Sequence, residues 1–253
     1  MTNQSNFTFY SNNSNINTAN NNERNTAMNN RYFDNSLDIN NPAPRCPVIL
    51  LLDVSGSMSG TPIEELNHGY NQFLNETMKD EAASMSVELE IITFGNTAKV
   101  DQPFCSIYNI KQNSNTFTAG GMTAMGHALE LASEHLNERR KKYRDNGIAA
   151  YRPWVILMTD GQPNDSWEQP AAEIRSLAEK GQINYLGVAI GNNVDMNTLS
   201  RIVPNPLQLK GVRFKQFFRW LTDSLGAVST TAVSDQDNVQ FGDISSWADL
   251  KNI

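Results

Sequence analysis

Val48–Leu52 is an unbroken aliphatic run that ends on Asp53, and a second apolar run, Trp154–Met158, ends on Thr159, Asp160 and Gly161. A strand with one wet face alternates apolar and polar residues, whereas a strand without alternation is covered on both faces, as in parallel sheets held between helices. In open sheets of that kind, ligands bind in the crevice beyond the carboxyl ends of the strands. The residues that leave the two runs are therefore candidate ligands. Asp53, Ser55 and Ser57 carry three oxygen side chains, and Gly56 and Gly60 let the backbone fold tightly enough for them to converge. Oxygen-only ligation selects a hard cation such as Mg²⁺, Mn²⁺ or Ca²⁺ over zinc or copper.

Asp-x-Ser-x-Ser alone is short enough to arise by chance. Two further segments strengthen it. TAGGMTAMGHALELA, from Thr118, places a glycine pair before Thr123 and then begins a helical pattern; WVILMTDGQPND, from Trp154, delivers Asp160 at a second strand end. A loop threonine and a second aspartate, in this chain order, complete a constellation of five oxygen side chains: Asp53, Ser55, Ser57, Thr123 and Asp160.

On these residues the chain resembles the von Willebrand factor A (vWA) domain with its metal-ion-dependent adhesion site. The family's DxSxS falls on Asp53, Ser55 and Ser57, its loop threonine on Thr123 and its second aspartate on Asp160. The resemblance covers about residues 46–228. It implies a divalent ion, Mg²⁺ or else Mn²⁺ or Ca²⁺, that keeps an open position for an Asp or Glu of a protein partner, and no catalysis. The local wording, including FKQFFRWLTDSLGAVS from Phe214, is most similar to the bacterial tellurite-resistance-associated TerY type, which implies a stress system whose partners include a kinase and a phosphatase.

The periodicity agrees with a doubly wound, mostly parallel central sheet flanked by helices on both faces. Strands are expected near 48–53, 86–94, 97–104, 154–159, 183–190 and 206–209, and helices near 62–78, 124–143, 168–180, 195–202 and 213–227. Thr61 before Pro62 reads as an N-cap, and Asp195 caps the short helix that follows it. In the last helix Phe214, Phe217, Phe218, Leu221 and Leu225 recur at helical spacing and read as a core face. The basic cluster ERRKKYR at 138–144 reads as a solvated helix end that complements the helix dipole.

The first 45 residues differ in kind. About a third of them are Asn, with few aliphatics, so they cannot bury enough apolar surface to offset their ordering entropy. They read as a disordered tail, with Pro42, Pro44 and Pro47 at the entry to a vWA domain at 46–228 and an extension at 229–253. No signal-peptide pattern and no run of membrane-spanning length is visible. Cys46 and Cys105 give no disulfide framework, and without an export signal they read as reduced thiols in a cytoplasm.

Other chemistries fit less well. In a haloacid-dehalogenase-like phosphatase Asp53 would be the nucleophile, with Asp160 and Asp165 holding Mg²⁺, but Ser55 stands where that reaction needs a carboxylic acid. A serine hydrolase fails because the centre of Gly56–Gly60 is Met58, not serine. His68, His127 and His135 lie on expected helices, and the last two are spaced too far apart for a helical zinc pair. An RNA-binding role is disfavoured by the net charge of −7.

Overall fold

The computed structural model describes residues 37–111, 116–191 and 194–250. Along the chain these form β1 (Cys46–Asp53), α1 (Thr61–Lys79), α2 (Glu81–Ser86), β2 (Val87–Phe94), β3 (Ala98–Ser106), α3 (Met125–Asp145), β4 (Trp154–Thr159), α4 (Glu168–Glu179), β5 (Asn184–Ala189), α5 (Met196–Ile202), β6 (Leu207–Leu209), α6 (Phe214–Ser229) and β7 (Ala248–Leu250). The strands make one sheet in the order β3-β2-β1-β4-β5-β6-β7. Its five inner strands are parallel, and the two edge strands run antiparallel to their neighbours.

Alternate residues of β1 divide between two cores, which is why its aliphatic run is unbroken. Val48, Leu50 and Leu52 pack with α1 and α6 on one face; Ile49 and Leu51 pack with α3, α4 and α5 on the other. The doubly wound arrangement expected from the sequence is the one found. The aromatic stripe of α6 is core, as expected: Phe214, Phe217, Phe218, Leu221 and Leu225 are all fully buried, and the Phe218 ring lies 5.6 Å from that of Phe73 on α1.

Some local expectations change. Thr61 is the first residue of α1 rather than its cap; Gly60 holds the cap position with φ 80, a backbone conformation that side chains with a Cβ avoid. Asp195 does cap α5, accepting from the backbone N–H of Asn197 at 3.0 Å and of Thr198 at 3.3 Å. The short α2 has no counterpart in the sequence reading. Asp80 caps it by accepting from the Ala83 N–H at 2.8 Å. Asp80→Ala should therefore lower stability by about 1 kcal/mol, read as a shift of the urea midpoint at constant slope; an unchanged midpoint would show that the cap is idle.

The cluster at 138–144 is not uniformly solvated. Arg139 is only 2% exposed, because α3 turns it and Tyr143, one helical turn on, toward β2. There the Arg139 Nη2 lies 2.6 Å from Glu88 Oε2, and the Tyr143 hydroxyl donates to the same oxygen. Arg45 meets Glu88 Oε1 from the other side at 3.4 Å. Two residues on along β2, on the same face, Glu90 Oε1 lies 2.5 Å from His135 Nδ1. The remaining positions of the basic run do lie nearer solvent: the Lys141 side chain is exposed and pairs with Asp145.

Arg45 also moves the domain's edge. Assigned by composition to the tail, it is 1% exposed, and its guanidinium donates to the carbonyls of Asp38, Asn41 and Ala43. Residues 37–45 are thus packed onto the domain, Leu37 included. The remainder of the expected tail lies outside the described residues. At the other end, residues 229–250 pack back onto the sheet: Trp247 is buried 5.2 Å from the Phe217 ring, and β7 pairs with β6. Leu250 stands opposite Leu207, which itself pairs with Val188 near the carboxyl end of β5, so the described chain enters at the amino-terminal ends of the parallel strands and leaves level with their carboxyl ends.

Cys46 and Cys105 are both free, and burial pushes the Cys46 thiol up to about 12. Among the described residues no helix is long and apolar enough to cross a membrane.

Candidate functional site

β1 ends at Asp53 and β4 ends one residue before Asp160, so two neighbouring strands deliver two carboxylates to one edge of the sheet. Asp53 is buried. Its Oδ1 accepts from the Ser55 N–H at 2.8 Å, and its Oδ2 accepts from the Thr159 hydroxyl at 2.6 Å. The turn Gly56–Met58 then brings Ser57 back over the strand end. Ser57 Oγ donates to Asp160 Oδ1 at 2.7 Å, and Ser55 Oγ lies 3.0 Å from Ser57 Oγ. A hydroxyl has one proton, and Ser57 gives its own to Asp160, so Ser55 is the donor in the second contact.

The loop that carries Thr123 is tied to both strand ends. Gly120 N–H donates to Val54 O at 2.7 Å, Gly56 N–H to Gly121 O at 2.9 Å, and Ala124 N–H to Gly95 O at 2.9 Å. Gly121 is required here: its φ is 83, and a Cβ would stand 2.6 Å from the Asn96 side chain. Thr123 is fixed through its backbone, its N–H donating to Asn164 Oδ1 at 2.9 Å and its carbonyl accepting from the Asn164 N–H at 3.0 Å. Its hydroxyl faces the Asp160–Gly161 turn: a Cβ on Gly161 would lie 3.6 Å from Thr123 Oγ1.

Asp53, Ser55, Ser57 and Asp160 thus form one hydrogen-bonded chain, and Thr123 adjoins it. Burial falls from Asp53 and Ser55, both buried, through Asp160, half-buried, to Ser57, exposed. The cluster opens to solvent on one side. Burial pushes the carboxyls of both Asp53 and Asp160 above the usual aspartate range, against the hydrogen bonds from the neighbouring hydroxyls, which pull the other way. Among the described residues no cationic side chain offsets either charge.

The donor set suits a hard divalent cation: two carboxylates and three hydroxyls, with no sulfur or imidazole. Among the described residues no three acidic, histidine or cysteine side chains gather anywhere, so a cation bound here would depend on the serine and threonine hydroxyls as well as the carboxylates.

The profile of the von Willebrand factor type A domain matches residues 48–223. The chain belongs to that family. The chain is 24% identical over 164 residues to human inter-alpha-trypsin inhibitor heavy chain H6, a match that covers 61% of this chain and 12% of that protein. The pilus adhesin SpaC of Lactobacillus rhamnosus GG has a similar fold, with a TM-score of 0.57 at 14% identity over 73% of this chain and 31% of that one. So has proximal thread matrix protein 1 of the mussel byssus, solved with a zinc-occupied MIDAS motif, with a TM-score of 0.51 at 16% identity over 72% of this chain and 48% of that one. The vWA chain therefore spans less than half the length of each of these proteins.

Three side chains outside the five expected ligands support the site. Thr159 holds Asp53, Asn164 holds Thr123, and Asp165 accepts from the N–H groups of Gly126 and His127 at 2.8 and 2.9 Å, at the start of α3. Thr159 left a trace, as the one polar residue of β4. Asp165, which the phosphatase reading pairs with Asp160 on the metal, is instead committed to anchoring α3.

Proposed function

We propose that this vWA domain is a divalent-cation-dependent protein-interaction module rather than an enzyme. Asp53, Ser55, Ser57, Thr123 and Asp160 would hold the ion, Mg²⁺ or else Mn²⁺ or Ca²⁺. The supporting observation is the Asp53 carboxylate, fully buried and unopposed by any cationic side chain among the described residues. A buried, uncompensated charge is costly, and a divalent cation among neutral hydroxyls offsets it. When bound, the ion supplies an electrophilic position open to an acidic ligand. The partner we infer is a protein that presents one Asp or Glu carboxylate to that position.

Ser55 argues against hydrolysis, since a serine hydroxyl near neutral pH cannot protonate a leaving group. The zinc reported for the mussel protein is a property of that protein; here the all-oxygen donor set favours a harder ion. The finer assignment, a cytoplasmic TerY-type protein of a bacterial tellurite-resistance or stress system with a kinase or phosphatase among its partners, rests on the wording of segments such as FKQFFRWLTDSLGAVS.

The test is capture of partners on the immobilised protein in Mg²⁺ and again in EDTA. Thr123→Ala should weaken Mg²⁺-dependent capture by about tenfold while leaving the melting temperature unchanged, because a loop hydroxyl contributes ligation and little packing. The protein should show no hydrolysis of p-nitrophenyl phosphate with Mg²⁺. Turnover that Asp53→Asn abolishes would replace this reading with the phosphatase.

A further inference from the structure

Five large apolar side chains are well exposed among the described residues: Ile39, Met85, Tyr108, Met122 and Phe241. Four lie at the amino-terminal pole of the sheet. Ile39 precedes β1, Met85 precedes β2, Tyr108 follows antiparallel β3, and Phe241 stacks edge-on against Trp154, the first residue of β4, at 5.3 Å. Met122 alone stands at the carboxyl-end pole, between Gly121 and the candidate ligand Thr123, and it is 59% exposed.

Its exposure does not come from a loose loop. The Met122 N–H donates to Asn96 Oδ1 at 3.0 Å, and the neighbours on either side are tied to Val54, Asn164 and Gly95 as described above. A pinned backbone presents an unbranched thioether, which adapts to apolar surfaces of many shapes. On the β4 and β5 side the same pole carries Asp160, Asp165 and Asp195, with Gln162 Nε2 donating to Asp195 Oδ2 at 3.1 Å. A second acidic group on the partner would be repelled there.

We infer that the partner segment carries a single acidic residue with a large apolar neighbour that packs on Met122. This rests on the acid-binding reading above and adds a second, apolar determinant to it. The apolar contact would exclude water from the rim of the carboxylate–cation contact, which strengthens attraction between the charges.

A random-peptide phage library panned on the full chain in Mg²⁺ and released with EDTA tests it. Released clones should share one Asp or Glu with Leu, Ile, Met or Phe within two positions. Panning on Met122→Ser should keep the acid and lose the apolar neighbour, and a synthetic peptide selected on the wild type should bind Met122→Ser about tenfold more weakly, the loss of one apolar side-chain contact. An unchanged melting temperature and Mg²⁺ affinity in Met122→Ser establish that its fold and ion site are intact. Acidic clones without the apolar neighbour, or the same neighbour selected on Met122→Ser, would overturn this inference and leave the acid-binding reading standing. The absence of any acid-bearing, EDTA-released clone would overturn both.

Discussion

Asp53→Asn should abolish divalent-cation binding while leaving the metal-free protein as stable as the wild type or more so. The two effects have one cause. Without a cation the Asp53 carboxylate is buried and unopposed, and a neutral amide of the same shape removes that cost. With a cation the same charge contributes most to ligation. Saturating Mg²⁺, at about 100 times its dissociation constant, should add about 2.7 kcal/mol to the wild type, a rise of roughly 5–10 °C in melting temperature for a domain of this size. The variant should show no rise and no heat of binding by calorimetry. If both proteins gain the same number of degrees, the ion binds elsewhere.

Glu88→Gln should be the most damaging substitution outside the site. One carboxylate lies between two guanidinium groups, Arg45 and Arg139, both nearly inaccessible to water. Removing its charge strands two buried cations, and breaking a buried pair from one side costs about 3–5 kcal/mol. Tyr143→Phe keeps both ion pairs and should cost only about 1 kcal/mol. Urea unfolding of the two variants separates the contributions. A loss below about 1 kcal/mol for Glu88→Gln would mean that water reaches the cluster and screens it.

Where a residue's environment is set by its own strand, the sequence is readable. Val48–Leu52 and Val155–Met158 are aliphatic throughout because both faces are covered, and the oxygen side chains that follow them stand at the sheet edge where ligands bind. Edge elements are less legible. β3 places Lys99 at an exposed position and Asp101 and Gln102 at half-buried ones, α2 has six residues, and β7 exists only by pairing with β6. The misread residues share another property: their partners are distant in sequence. Glu88 and Glu90 alternate with aliphatics as a wet strand face would, and ERRKKYR has the composition of a solvated helix end. Only the fold, by laying α3 across β2, turns these charges toward one another. The hydrogen bonds of Thr159, Asn164 and Asp165 likewise span segments that no local pattern connects.

The placement of residues 37–45 also bears on how the domain could be mounted. Residues 37–45 precede β1 and lie at the pole away from Asp53 and Asp160, separated from them by the length of β1, eight residues or about 26 Å. Anything that engages this segment acts as a handle on the far side and leaves the acid-seeking face unobstructed. A surface or biosensor chip that gripped the domain through that segment would hold the face outward. Copies gathered on a common support would all present their sites in the same direction, an arrangement suited to gripping a partner that offers several carboxylates at once.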